Sequence, residues 1–500
     1  MRSRNLLAFI AAAALVASSA PRAHADSRTI GFESPTYTTG SIDGQDGWGG
    51  QGGGPINPAF DQAVTGAGAH SGSQSFRESS ATASGSFSDQ TFSPSLTDRA
   101  GEPGSIDGGF AGGVLQPRFT STLWFKSATG AVQDSHVVIS ADRGDGARMS
   151  WIQISDNVAD PGSTCANYPY GACTTNADCS GFTCLPDGRS GLSVSFSDYR
   201  VPANLLDCGG EEDAENKCFS FYPLATGLSR TVWHQVDFEI EFYDGKANDV
   251  LRISIDGTPV FRGTTWEDFF PNQQGFQFPT DPPPVDSLLF RVGGASEGNS
   301  GEGFLFDDVS YASTACQAAT RFVATTGDDT FNDCRDVGSP CKTVQHGVDV
   351  ACVGDTVQVA AGTYPEQVTI PKAVTVIGAG EASTFIKPTS VAANTTSLSS
   401  GNPIAAIILV DAATGVTLKN FTVDGSAAAF ASCSPGYMGV YYRNGSGTID
   451  TLHVAHVVLP AATGCQSVVG VFVQSGGSGS STVTLKSSTI DDYGKNGVTC

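Results

Sequence analysis

Apolar and polar residues alternate one by one along Trp233-His-Gln-Val-Asp-Phe-Glu-Ile-Glu-Phe242. Val236, Phe238, Ile240 and Phe242 fall on one side, and Asp237, Glu239 and Glu241 on the other. A period of two marks a β-strand with one buried face. After a turn the alternation resumes through Leu251, Ile253 and Ile255, against Arg252 and Ser254, until Asp256-Gly257 supplies a tight turn before Val260 and Phe261. Residues 192–196 alternate in the same way. Between residues 30 and 311 no stretch of ten keeps a helical period, so this part predicts an all-β sandwich.

Further on the pattern changes. Between Gly354 and Gly380 three short β-rich runs, residues 356–359, 367–370 and 374–377, sit between Gly and Pro punctuation without Asn-Gly or Asp-Gly hairpin turns. Short strands joined by tight corners predict a chain that winds in one direction. Ser339-Pro340 opens the one helix expected in the mature chain, about residues 340–352, with Val344, Val348 and Ala351 on one face and Gly354 as its stop. Later a repeat emerges: Val416-Thr-Leu-Lys-Asn-Phe-Thr-Val-Asp424 matches Val483-Thr-Leu-Lys-Ser-Ser-Thr-Ile-Asp491, with Thr448-Ile-Asp-Thr-Leu-His-Val454 between. Gly439-Val-Tyr-Tyr442, Gly470-Val-Phe-Val473 and Gly497-Val-Thr-Cys500 match likewise, a period of about 27–35 residues. Lys419 and Lys486 recur at one repeat position, as do Asp424 and Asp491, which is how structural ladders read. The last core layer at Cys500 lacks a cap, so further coils are expected beyond it.

Composition agrees: 60 glycines and three methionines in 500 residues suit turn-rich β structure. Residues 1–25 read as a secretory signal peptide, with Arg2 and Arg4, a 12-residue apolar run from Leu6 to Ala17, and Ala23-His-Ala25 before the cleavage point. Removing its three arginines from the 27 basic residues leaves 24 against 50 acidic ones, a net of −26. Such a surface repels nucleic acid and anionic membranes. No apolar stretch approaches the length of a transmembrane helix. Thirteen cysteines in an exported chain predict disulfides. Six lie from Cys165 to Cys218, ending in Cys208 and Cys218; their irregular spacing and the lack of His between them favour stapling over zinc.

The segments Gly31-Phe-Glu33, Ser71-Gly-Ser-Gln-Ser-Phe-Arg77, Trp233-His-Gln-Val236, Ile253-Ser-Ile-Asp-Gly257 and Gly303-Phe-Leu-Phe-Asp-Asp-Val-Ser310 resemble concanavalin-like and laminin-G-like jelly rolls. Residues 27–313 are identified with such a domain, carrying a cysteine-rich insert at 165–218. Residues 321–500, from Ala361-Gly-Thr-Tyr-Pro-Glu-Gln-Val368 onward, resemble the right-handed parallel β-helix of pectin lyase-like proteins, the helix covering its lower end. The first resemblance implies a structural calcium held by Glu33 and Asp307, completed by backbone carbonyls or water. Trp48, Trp266, Phe269 and Phe270, in loops or at strand ends, are candidate rings for stacking on sugars.

The second resemblance does not extend to chemistry. Where pectin esterases place Gln and two Asp on successive coils, Val416-Thr-Leu-Lys-Asn-Phe-Thr-Val-Asp-Gly425 lacks the Gln-Ala that should follow. Asp491-Asp492 matches the acid pair of polygalacturonases only as a dipeptide, and reads as a coil corner. His453 and His456, three apart in a strand, should face opposite ways. Cys334 and Cys341 flank the helix start and are expected to pair, leaving Cys316 and Cys352 nearby. Cys433 lies six residues before Gly439 and Cys465 five before Gly470, so the two thiols occupy matching places in adjacent coils about 4.8 Å apart. A Cys433–Cys465 bridge is expected, with Cys500 left on a strand. The expected function is a secreted protein binding an extracellular polysaccharide or cell-surface glycan through the jelly roll, with the β-helix as stalk or second platform. The alternative is a polysaccharide lyase or glycoside hydrolase with its site on the β-helix, beyond residue 500 or within it.

Overall fold

The computed structural model describes residues 26–58, 60–79, 90–96, 117–133, 135–142, 148–156, 163–165, 168–172, 184–186, 191–199, 219–243, 248–266, 285, 287–293, 302–314, 316, 318–426, 433–459 and 464–500. Among them the protein is nearly all β, with one short α-helix and one 3-10 turn. The expected signal peptide, most of the cysteine-rich insert, Phe269, Phe270, Cys208 and Cys218 lie outside the described residues.

The alternating strand forms as expected at His234–Glu241. Its apolar side, Val236, Phe238 and Ile240, is buried, together with Leu251, Ile253 and Ile255 of Val250–Ile255. These strands belong to a nine-stranded antiparallel sheet with Arg118–Ser127 and Phe304–Thr314 at its centre. A six-stranded antiparallel sheet runs in the order Phe219–Leu228, Leu192–Tyr199, Ile152–Asp156, Ser135–Asp142, Ser287–Gly293, Gln90–Phe92. One core lies between the two, Phe119, Leu123 and Phe125 meeting Ile139, Val194, Phe196 and Phe290.

From Thr320 onward every long-range ladder but one is parallel. One sheet stacks Thr320–Val323, Thr356–Val359, Thr375–Gly378, Thr414–Asp424, Ser446–Ala455 and Val483–Lys486. The other stacks Val368–Ile370, Pro403–Asp411, Gly436–Arg443, Val468–Gln474 and Asn496–Thr499, with Thr395–Thr396 added antiparallel at its face. The chain alternates between them around a second core that includes Val357, Val376, Leu418, Ile449, Val440 and Val471. In the first sheet the long strands bend at matching residues, Asn420, Thr451 and Ser487, all with φ between 52° and 60°. At the same level one layer down stands Gly378, where a Cβ would lie 2.3 Å from the Asn420 carbonyl oxygen. The bend is repeatable because a residue without a side chain accepts it from below.

The repeat positions fall as the sequence implied. Lys419, Asp450 and Lys486 are in register, and Asp450 sits 3.5 Å from each ammonium. Cys433–Cys465 is bridged, Cα atoms 5.2 Å apart, as are Cys334–Cys341 and Cys316–Cys352. Cys500 is exposed and unbridged.

The helix is a correction. It spans Val344–Asp349, not residues 340–352, and its N-cap is Thr343, whose hydroxyl accepts from the His346 amide. Pro340 and Cys341 are claimed first by other bonds: Cys341 bridges beside the strand at Val323, and the Pro340 carbonyl accepts from Asp328. Gly347 lets the helix lie close on the first parallel sheet, since a Cβ there would be 2.7 Å from Val323.

Antiparallel and parallel sheets meet at a seam of charge. The fully buried Arg321 guanidinium donates to Asp355 at 2.6 Å and to the Asp333 carbonyl at 2.8 Å, and lies 3.6 Å from Glu241. Arg335 pairs with Glu239 at 2.9 Å and with Glu241; Arg252 pairs with Asp333; Arg118 donates to Glu239 at 2.8 Å.

Candidate functional site

The outward side chains of the second parallel sheet form three ladders. Ala406, Met438, Val469 and Asn496 make one, Leu409, Tyr441, Phe472 and Thr499 the next, Asp411, Arg443 and Gln474 the third. An arm, residues 395–402, folds across this face. Gln474 holds it, accepting from the Leu398 amide at 2.8 Å and donating to Ser399 Oγ at 2.9 Å, while Arg443 donates to the Thr396 carbonyl at 3.1 Å. Tyr441 donates to the same Gln474 and stacks on Phe472, ring centres 5.0 Å apart.

Between arm and sheet lies a groove of about 510 Å³. Phe472 contributes partly exposed apolar surface, beside Met438 and Val469, which are only 3% and 4% exposed; Ser397, Ser399 and Asn402 contribute hydroxyls and an amide. Gln466, Lys495 and Asn496 also line it, and Cys433 brings the disulfide to its edge. The lining holds one ammonium and, among the described residues, no carboxylate or imidazole. Such a surface can press an apolar face against its floor and exchange hydrogen bonds with hydroxyls along its rim.

The six-stranded sheet has a polar outer face. Gln90, Arg291, Val138, Gln153 and Ser195 form one row across it, and His136 lies one step along. Among the described residues the buried Gln90 amide has no hydrogen-bond partner. Burial, with Arg291 adding to it, pulls the His136 imidazole down to about 4. The unfolded chain therefore takes up a proton near pH 6.5 that the folded state refuses, so stability is full above that pH and falls toward pH 4. By pH 4.5 the loss should reach about 2–3 kcal/mol. His136→Gln should flatten this part of the stability profile, read from urea midpoints between pH 7 and 4.5; an unchanged slope would remove His136 from the account.

The expected site residues lie elsewhere. Glu33 Oε1 accepts from the amides of Ser73 at 2.6 Å and Gln74 at 2.8 Å, and its other oxygen from the Ser73 hydroxyl. These bonds hold its carboxyl below the usual range. Asp307 accepts from the amides of His70, Ser71 and Asp308, yet burial pushes it up to about 6. The donors around both acids are N–H and O–H groups, whereas calcium requires a shell of oxygens. An ion held by Glu33 and Asp307 would have to displace these donors. Melting temperatures in chelator and in millimolar calcium should accordingly agree; a rise with calcium would show that residues 70–74 rearrange around an ion.

Trp48 and Trp266 are corrections too. Trp48 is 2% exposed, packed among Phe32, Phe76 and Phe290, and donates to the Tyr37 hydroxyl at 3.2 Å. Trp266 is 4% exposed, stacks on Trp151 at 5.3 Å and donates to the Ser197 carbonyl at 2.7 Å. Neither offers an open ring. Among the described residues the partly exposed tryptophans are Trp124, Trp151 and Trp233. The sequence carried the signal for the first: Phe119, Leu123 and Phe125 point inward, so Trp124 takes the polar side of its strand.

His456 also departs from the sequence expectation. The strand Ser446–Ala455 ends before it, and φ of 57° takes it out of the alternation. Its Nδ1 lies 3.2 Å from Asp424, and its Nε2 3.9 Å from Asp492. Lys387 pairs with Asp424 at 2.9 Å. Burial, opposed by the Ser426 amide and Lys387, leaves the Asp424 carboxyl lowered to about 2. His453 pairs separately with Asp491 at 3.1 Å. None of these residues lines the groove.

No family model and no curated protein matches the chain. Similar solved structures include carbohydrate-active enzymes. A pectin methylesterase from Erwinia chrysanthemi is 14% identical at a TM-score of 0.21, over 32% of this chain and 48% of its own. The chain thus spans about half the length of that enzyme. Alginate lyase Aly36B is 8% identical at a TM-score of 0.24, over 57% of this chain and 96% of its own. Domain 4 of an extracellular arabinanase from Geobacillus stearothermophilus is 10% identical at 0.20, over 58% and 84%. TM-scores this low carry no argument about this chain.

Proposed function

We propose that the protein is a secreted glycan-binding protein: a concanavalin-like jelly roll at residues 27–313, joined to a right-handed parallel β-helix from residue 321 onward. The observation that carries this reading is the groove on the second parallel sheet. Its apolar floor suits the C–H face of a sugar, and its hydroxyl and amide rim suits sugar hydroxyls. Glycoside hydrolysis needs two flanking carboxylates, which the described lining does not carry, so the groove favours binding over cleavage. The direct test is a glycan array with the secreted full-length chain, repeated with Phe472→Ala and with Gln474→Ala. We expect retention of a polysaccharide that Phe472→Ala weakens by tenfold or more while the variant stays folded, since losing its stack on Tyr441 should lower the melting temperature only modestly. Cleavage of the retained glycan, or retention indifferent to both substitutions, would overturn the reading.

A further inference from the structure

The outer face of the nine-stranded antiparallel sheet carries a second, smaller groove of about 250 Å³. Two cross-strand rows line it: Thr122, Asp237 and Ser254 in one, Thr120, Glu239 and Arg252 in the other. Asp237 Oδ1 accepts from Thr122 Oγ1 at 2.6 Å and from Gln235 Nε2 at 2.8 Å. Its Oδ2 has no partner among the described residues. Glu239 Oε1 is held by Arg118 and Arg335, which fixes the carboxylate at the groove's edge. The groove's own cation, Arg252, is already met by Asp333.

Along the same strand the surface changes character. Trp124 follows Thr122 on the outward side and carries the His70 ring stacked at 3.9 Å. Trp233 stands edge-on to His70 at 5.8 Å, with Lys126 over its ring at 5.2 Å. His70 is held in turn by Asp308 at 2.6 Å. From Trp124 to Arg118 the outward positions run for about 20 Å, enough for a short oligosaccharide.

We propose that this surface is a glycan subsite for a neutral, hydroxyl-rich oligosaccharide. It deepens the glycan-binding reading above and rests on it for the ligand class. Asp237 and Glu239 present fixed acceptors beside the hydroxyls of Thr120 and Ser254, a combination that bonds neighbouring hydroxyls by charge-assisted contacts. At the far end Trp124 and Trp233, one ring covered by His70 and the other by Lys126, offer a sugar only their remaining partly exposed apolar surface. Two carboxylates facing a compensated arginine, on a chain of net charge −23, repel uronate and sulfated chains.

The test is titration calorimetry of the full-length chain with neutral gluco-, manno-, galacto- and xylo-oligosaccharides, and in parallel with polygalacturonate. Asp237→Ala and the groove-filling Ser254→Gln are each compared with Phe472→Ala. We expect two binding events for a neutral sugar: Asp237→Ala and Ser254→Gln each remove one, or weaken it at least tenfold, and Phe472→Ala affects the other. Either of the first two variants, folded and retaining both events, would overturn this subsite while leaving the first groove intact. Binding only at the first groove, or polygalacturonate competing at the Asp237 site, would do the same. Absence of any neutral-glycan binding would overturn both.

Discussion

Replacing Arg321 by methionine is expected to lower the free energy of unfolding by about 3–5 kcal/mol, the usual effect of removing one member of a buried ion pair. Arg321 has no exposed surface, and it answers Asp355, itself fully buried, at 2.6 Å. Methionine fills much of the space but leaves the buried Asp355 carboxylate without a counter-charge. Asp355 still accepts from the amides of Ala319 and Cys352, so the loss should stop short of collapse. Adding Asp355→Leu should return part of the stability, because the stranded charge leaves with it. Guanidinium unfolding of both variants measures this. A loss below about 1 kcal/mol for the single substitution, in the range of surface pairs, would mean that water reaches the seam.

Changing both Cys433 and Cys465 to serine should cost about 3–4 kcal/mol, the chain-entropy value for a closed loop of this size. The two residues are 32 apart in sequence, with Cα atoms at 5.2 Å in adjacent layers. The bridge also frames the first groove, through Cys433. The double variant should therefore bind glycan more weakly even where it remains folded. Denaturation under non-reducing conditions reads the first effect and calorimetry the second. Equal stability of the two proteins would show that the layers hold these segments without help.

The strands were legible where one local pattern decided them. Val236, Phe238 and Ile240 alternate with acids, and no long-range fact was needed to send them inward. The bridge at Cys433 was legible because the repeat itself supplied the register. The helix start failed because Ser339-Pro340 is a good local beginning that distant partners outbid. Trp48 failed for a related reason: a ring beside glycines reads as loop, yet it fills the space between Phe32, Phe76 and Phe290, residues far apart in the chain. The groove was half legible. The repeat Gly439-Val-Tyr-Tyr442 and Gly470-Val-Phe-Val473 contains Phe472 and begins one residue after Met438 and Val469, but the arm that closes the groove is tied down by Gln474, 76 residues after Leu398. Contacts of that span leave no local trace.

The seam has a bearing on where such a molecule can work. Arg118, Arg252, Arg321 and Arg335 face Glu239, Glu241, Asp333 and Asp355 there, so a strongly acidic chain keeps an electrically neutral island at its joint. Dissolved ions blunt the partly exposed pairs of the seam, such as Arg118–Glu239 and Arg335–Glu239, but act far less on Arg321–Asp355, which is sealed from water. Rising salinity would relieve the mutual repulsion of the acidic exterior and leave the attraction at the joint's buried centre standing. A joint built in this way is suited to hold its angle from dilute fresh water to brine.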